Sequence, residues 1–264
     1  MKIKFVVFFR GWDNDFETVL LNNNNKRKIF VDSFFKAEKI IVLASDFKKF
    51  LRVLGYKGEL VLETTLVEDS LVECYHEAII SQKVKQPQKT LLFLARVEES
   101  KGIYKVLEVF SRVLQKGISC NLIIAGGGSE ELAAKKYVAD NRIPNVQFLG
   151  FVKSLKKAEV FNSSHIYLFF SEHGEGMPNS VLEAMAMGLP IVASKIGGIK
   201  DFCSDQIGFF YQEYNLEKSV SYIVKVLRDG ALYLDIATHN RGYGVEHFSA
   251  KIVVARLRSI LETV

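Results

Sequence analysis

Two acids, two cations and a run of glycines are the residues whose spacing could do chemistry. The segment SEHGEGMPNSVLEAMAMGLPIVAS (171–194) carries Glu175 and Glu183, with seven residues between them, across a predicted loop-to-helix junction. A carboxylate can accept hydrogen bonds from two vicinal hydroxyls, the pattern that a ribose or hexose edge presents. The helix is expected to start near Asn179 or Ser180, so that free amides over 177–181 would meet a phosphate. Ser180 and Glu183 also fit a capping box, in which the glutamate folds back on the cap residue's amide. Glu175 beside His173 also reads as an exposed loop acid. On these residues alone both readings stay open.

The stretch ARVEESKGIYKV (95–106) puts Arg96 at the end of an apolar run and Lys101 just before a helical pattern. Two cations beside a helix N-terminus suit a diphosphate. A solvated turn in which Arg96 pairs with Glu98 or Glu99 is the alternative. AGGGSEE (125–131) allows positive φ and close approach of a ligand to the backbone. It reads equally well as a tight turn with Ser129 as helix cap.

These loops need strands and helices to position them. Apolar runs at 90–95, 121–126, 146–150, 165–170 and 190–194 alternate with helical stretches. Strands apolar throughout, joined by helical crossovers, predict a parallel doubly wound α/β sheet. Ligands then bind at the carboxyl ends of the strands, in the loops after 95, 126, 150, 170 and 194. The first 85 residues follow the same rhythm, with strands predicted at 3–9, 39–44 and 58–64. Helices are predicted in FVDSFFKAE and, as a capped helix ending at Gly55, in SDFKKFLRVLG. NNNNKRK (22–28) reads as a solvated loop or frayed end without packing capacity. Segment 65–89 is expected to link the two units, and 248–264 to form a final amphipathic helix packing back on the first. The expected division is therefore 1–85, a partial N-terminal Rossmann-like unit; 86–247, a Rossmann-like ligand domain; and 248–264.

Across 264 residues, a 48% apolar and 25% charged composition is that of an ordinary globular protein. A net charge of +5 fits an anionic small molecule or an acidic membrane surface and is too dispersed for nucleic acid. Cys74, Cys120 and Cys203 lie far apart, which reads as buried reduced thiols in a cytosolic protein rather than a disulfide framework or zinc site. Arg10 ends the first apolar run too early for a signal peptide, and no apolar stretch nears the roughly 18–20 residues of a membrane span. FKKFLRVL (47–54) reads preferentially as a core-facing helix with a solvated basic side; lying on an anionic membrane is the second reading.

The string from Glu175 to Ser194 resembles the Glu-x7-Glu signature of the retaining GT-B glycosyltransferases of family GT4. The resemblance runs through about 88–264 and includes ARVEESKG, NLIIAGGG, VQFLGFV and IGGIKD in the family's order. It extends more weakly back through KAEKIIVLASDFKKFLRVLG. It implies a GT-B fold and transfer of a sugar from a nucleotide-sugar donor (UDP-, GDP- or ADP-linked) to a glycan or lipid-linked acceptor. Catalytic roles would fall on Arg96 and Lys101, which neutralise the donor diphosphate, and on Glu175, which approaches the donor sugar. Glu183 would bind the ribose hydroxyls. Gly150, Phe151 and Val152 would line the base pocket, while Gly176, Met177, Pro178, Asn179, Ser180 and Val181 would hold phosphate and sugar.

The resemblance implies no cofactor and no metal. Asp13 and Asp15 flank Asn14 in an Asp-x-Asp triplet, the metal signature of another glycosyltransferase fold, but beside Trp12 it reads as a polar loop. Arg10 stands where many relatives place a histidine. The family's first hundred or so residues, which bind much of the acceptor, are expected to be missing. A shortened chain, or one part of a split enzyme whose partner supplies that half, is therefore anticipated. The alternative function is a non-catalytic module that holds a nucleotide sugar. A cytoplasmic location is expected, at the membrane's cytoplasmic face if the acceptor is lipid-linked.

Overall fold

The computed structural model describes residues 4–11, 14–172 and 176–263. Its first unit is a parallel sheet of three strands, β1 (Val6–Phe9), β2 (Lys39–Val42) and β3 (Glu59–Leu62), in spatial order β1-β2-β3. Every residue of the central strand β2 is buried, because it is paired on both edges and packed on its faces by helices. Those helices are α1 (Asn14–Asn22), α2 (Asn24–Phe34) and α3 (Ser45–Val53).

The tract 22–28 is not a loop. Asn23 breaks α1 from α2, and its side chain accepts a hydrogen bond from the Lys26 amide at 3.0 Å. Asparagine disfavours helix interiors and favours N-caps for one reason, the short amide that reaches its own backbone. One residue of the polar run therefore starts a helix that carries Phe30 into the core. In α3 the apolar side Phe47, Phe50 and Leu51 is buried while Lys49 and Arg52 face outward. No side chain of its own caps α3. Asp201 supplies the cap from the second unit, its Oδ2 accepting from the Ser45 amide at 2.7 Å.

Segment 65–89 contains α4 (Asp69–Glu73) and α5 (Ala78–Lys85), and Val67, Leu71, Tyr75 and Ile80 join the larger core. The second sheet has six parallel strands: β4 (Lys89–Leu94), β5 (Cys120–Ala125), β6 (Val146–Gly150), β7 (Ile166–Phe169), β8 (Ile191–Ser194) and β9 (Gly208–Tyr211). Their order is β6-β5-β4-β7-β8-β9, the doubly wound arrangement whose direction reverses between β4 and β7. The crossovers are α6 (Ile103–Gln115), α7 (Glu131–Asp140), α8 (Ser154–Ser163), α9 (Asn179–Ala186) and the short α10 (Ile199–Phe202). On α6, Val106, Leu107, Phe110 and Val113 recur at helical spacing and are fully buried. Each contributes about 1.5–3 kcal/mol by leaving water.

After β9 come α11 (Leu216–Arg228), α12 (Gly230–Phe248) and α13 (Ala250–Glu262). The last returns to the first unit, where Arg256 meets both oxygens of Glu63 at 3.0 and 2.7 Å and Lys39 Nζ donates to Thr263 Oγ1 at 2.5 Å. Where the chain passes between units, Val67 bridges Ser249: its amide donates to Phe248 at 2.7 Å, and its carbonyl accepts from Ala250 at 2.9 Å. The fold is α/β, two parallel sheets with helices packed on them, as the resemblance to GT-B proteins implies. None of the described helices is long and apolar enough to cross a membrane.

Candidate functional site

At the reversal point two loops diverge, one after β4 and one after β7, and between them a crevice must open. The first loop carries Arg96 and a 3-10 turn over Glu99–Lys101. Gly102 follows with φ of +80°, and a Cβ there would lie 2.3 Å from the Phe170 carbonyl, so only glycine lets this turn rest on the end of β7. The Ser100 carbonyl accepts from the Glu172 amide at 3.0 Å and the Ser171 hydroxyl at 3.3 Å, which fixes one loop against the other.

The second loop is held from the opposite side. A Cβ on Gly176 would lie 2.0 Å from the Arg10 carbonyl, and the Gly176 carbonyl accepts from the Gly198 amide at 2.6 Å. Helix α9 then starts with Pro178 as N-cap. The Tyr167 hydroxyl lies 2.7 Å from Ser180 Oγ and 3.1 Å from the Leu94 carbonyl, which ties the helix start to the sheet.

The result is a cavity of about 690 Å³. Arg96, Lys101, Phe151, Val152, Pro178, Asn179, Ser180 and Glu183 all line it, together with Gly126 and Gly127 of the glycine turn. Glu175 lies outside the described residues, as do His173, Trp12 and Asp13. Gly150 is not among the lining residues; its carbonyl accepts from Gly126 at 2.7 Å and its φ of +64° turns the chain toward Phe151. Met177 and Val181 are buried in the core, and the Val181 amide donates to Pro178 at 3.1 Å. The expected row of free amides over 177–181 is thus shortened, because the first turn of α9 tightens on itself. Asn179 and Ser180 are the helix-start residues that face the cavity.

Neither expected cap forms. With Pro178 as cap, Glu183 lies one residue beyond the first turn, too far along for a capping box. Its Oε1 instead accepts from Lys157 Nζ at 2.7 Å. Burial pushes the Glu183 carboxyl up, and the Lys157 ammonium partly offsets this. In the glycine turn the cap position falls to Glu130, without a side-chain bond, and not to Ser129. Arg96 pairs with Glu98 at 2.6 Å, but its side chain is 67% exposed, so this pair is worth about 0–1 kcal/mol and exchanges readily for a better anion.

Among the described residues, the cavity is lined by four cations (Arg96, Lys101, Lys153, Lys157) and two acids (Glu68, Glu183). A cation-rich crevice beside a helix start and glycine turns suits an anionic ligand. Phe151 stands 75% exposed at the rim with Lys153 Nζ 5.0 Å from its ring centre, a flat apolar surface beside a charge.

The model of the family described as glycosyl transferases group 1 matches residues 76–243. The chain belongs to that family. Similar to this group 1 chain is the capsular polysaccharide biosynthesis glycosyltransferase CapM of Staphylococcus aureus, 22% identical over 251 residues, which are 94% of this chain and 61% of CapM. The chain thus spans less than two thirds of that relative. Among solved structures, Anabaena HepE in complex with UDP and glucose has a TM-score of 0.79 at 15% identity, covering 99% of this chain and 72% of HepE. A Staphylococcus aureus TarM mutant in complex with Fondaparinux, alpha-GlcNAc-glycerol and UDP has a TM-score of 0.73 at 19% identity, covering 89% of this chain and 46% of TarM. These likenesses establish the fold.

For this group 1 chain, sequence reasoning missed Lys153, Lys157 and Glu68 as cavity residues. Lys153 is the N-cap residue of α8, in extended backbone, and Lys157 lies four residues on in the helix, so both stand at the helix start that follows β6. That placement was a usable signal. Glu68 comes from the segment between the units, and only the docking of that segment brings it to the crevice.

Proposed function

We propose that this chain forms the donor-binding side of a retaining glycosyltransferase that moves a sugar from a nucleotide-sugar donor to a glycan or lipid-linked acceptor, on the cytoplasmic side of the membrane. One observation carries the reading: cations of the β4 loop and of α8 share a cavity with Glu183 and the start of α9, at the sheet's reversal point. The complexes of HepE and TarM with UDP support it by analogy.

In this reading Arg96 and Lys101 hold the diphosphate, Asn179 and Ser180 contribute the start of α9, and Glu183 receives ribose hydroxyls. Phe151 and Val152 flank the base, and Glu175 approaches the sugar. As the bond from the anomeric carbon to the diphosphate breaks, both electrons leave with the diphosphate. The acceptor hydroxyl oxygen bonds that carbon, and its proton goes to the departing phosphate oxygen or solvent. Charge grows on the diphosphate, so preorganised cations stabilise the transition state. We propose that these side chains serve in place of a divalent metal, with activity retained in EDTA.

The experiment is a thermal-shift series with UDP, GDP and ADP, followed by donor consumption with and without membrane acceptor. A shift with one nucleotide plus acceptor-dependent consumption is the expected result. A shift without consumption would favour a module that only holds the nucleotide sugar, and no shift with any nucleotide would remove the reading altogether.

A further inference from the structure

A second pocket, of about 160 Å³, opens at the opposite end of the strands, where β4 begins and α5 ends. It is separated from the donor cavity by the length of β4, about 20 Å for six residues. Lys83, Lys89, His165, Arg228 and Tyr233 line it.

Lys83 is buried, and its Nζ donates to the Phe161 carbonyl at 3.1 Å. An ammonium has three N–H bonds, so two remain. Lys89 Nζ donates to the Lys83 and Val84 carbonyls, both at 3.0 Å, and Arg228 donates to Lys116 at 2.8 Å. Among the described residues, none of the three pairs with a carboxylate. The neighbouring Asp229 is turned away, its Oδ1 accepting from the Leu232 amide at 3.0 Å. The Tyr233 hydroxyl is buried and has no hydrogen-bond partner.

His165 is neutral by its partners: Nδ1 accepts from the Thr90 amide at 3.0 Å, which leaves the Nε2 proton for the Lys83 carbonyl at 3.2 Å. Burial brings the Lys83 ammonium down to about 7, as befits a buried cation without a counter-charge. Buried charge without a partner is costly and is normally compensated.

We propose that this pocket binds a small tetrahedral oxyanion of the phosphate type, held by Lys83, Lys89 and Arg228 with the Tyr233 hydroxyl as a further donor. The space equals about five water molecules, room for such an ion together with some of its hydration water. The site is independent of the donor reading, since it shares no residue with that cavity.

The test is titration of the full chain with inorganic phosphate, followed by calorimetry and thermal shift, against sodium chloride at matched ionic strength. Expected is saturable binding that weakens about tenfold in Lys83→Met and in Lys89→Met, through loss of a charge-assisted hydrogen bond. With Arg96→Ala as the background, which weakens the other cavity's own hold on phosphate, the binding that depends on Lys83 and Lys89 should persist. Tyr233→Phe removes a single oxygen and should weaken binding severalfold, which keeps the test open if a lysine variant does not fold. Phosphate binding unchanged in Lys83→Met and Tyr233→Phe, binding lost in Arg96→Ala, or a response that chloride reproduces would each overturn the proposal.

Discussion

Lys157 Nζ lies 2.7 Å from Glu183 Oε1, with 18% and 10% of the two side chains exposed. The pair bridges α8 and α9 on the wall of the cavity at the sheet's reversal point. Removing one member leaves the other largely buried without its counter-charge, whereas removing both leaves neither charge of the pair uncompensated. Lys157→Met is therefore expected to cost about 3–5 kcal/mol in urea unfolding. The double variant Lys157→Met/Glu183→Leu should recover most of it. Equal stability of Lys157→Met and the parent would show that the pair is solvated.

Arg96 is exposed and, among the described residues, its side chain pairs with Glu98. Arg96→Ala should leave stability within about 0.5 kcal/mol, the usual range for surface sites. Nucleotide affinity should fall by about 1.5–3 kcal/mol for Arg96→Ala and for Lys101→Ala. Glu98→Gln removes the competing anion, so the nucleotide should bind more tightly. Calorimetry with the nucleotide that gives the largest thermal shift checks all three; tighter binding in Arg96→Ala would contradict the phosphate assignment.

Gly176 touches the Arg10 carbonyl so closely that no Cβ fits without movement. Gly176→Ala must push the loop after β7 away from the end of β1. A cost of about 1–3 kcal/mol is expected, typical of overpacking at a close contact. Nucleotide affinity should also fall, since Pro178 and Asn179 follow directly. A variant with parental melting temperature and affinity would show that the contact yields freely.

Two buried bases should shape the pH dependence of stability. Lys83 titrates near 7 when folded against an ordinary 10.5. The unfolded chain therefore holds the extra proton between those values, and stability rises with pH across that window. In phosphate-free buffer Lys83→Met should be more stable than the parent below pH 7, by on the order of 2–4 kcal/mol, and the gap should close toward pH 10.5. His165 is pulled down to about 3, first by burial and then by Lys83 and Lys89. Its contribution is whole above 6.5 and is lost as pH falls toward 3. Unfolding measured from pH 4 to 10 reads both; a Lys83→Met curve parallel to the parent's would refute the first.

Most of the six-stranded sheet was legible because inner strands such as β7 and β8 are buried on both faces and so read as short apolar runs. β9 was not, since GFFY is short and follows a turn-rich stretch that breaks the rhythm. The asparagine tract misled because composition averages over residues, while capping depends on one residue, Asn23. In the site, Arg96, Lys101 and Glu183 stood out by chemistry. Lys157 did not, because its importance comes from a partner 26 positions away. Likewise, a capping box at Ser180 requires the helix to start at that serine, and Pro178 starts it two residues earlier by fixing its own φ.

The hydrogen bonds joining Val67 to Phe248 and Ala250 also bear on motion. Among the described residues, the chain passes between its two units beside Val67 and again beside Ser249, and these passages are stitched to each other. Two cords knotted at one spot permit swivelling but resist sliding. That makes Val67 a fulcrum, and the touching backbones of Arg10 and Gly176, elsewhere on the same seam, would register a swivel as a gap.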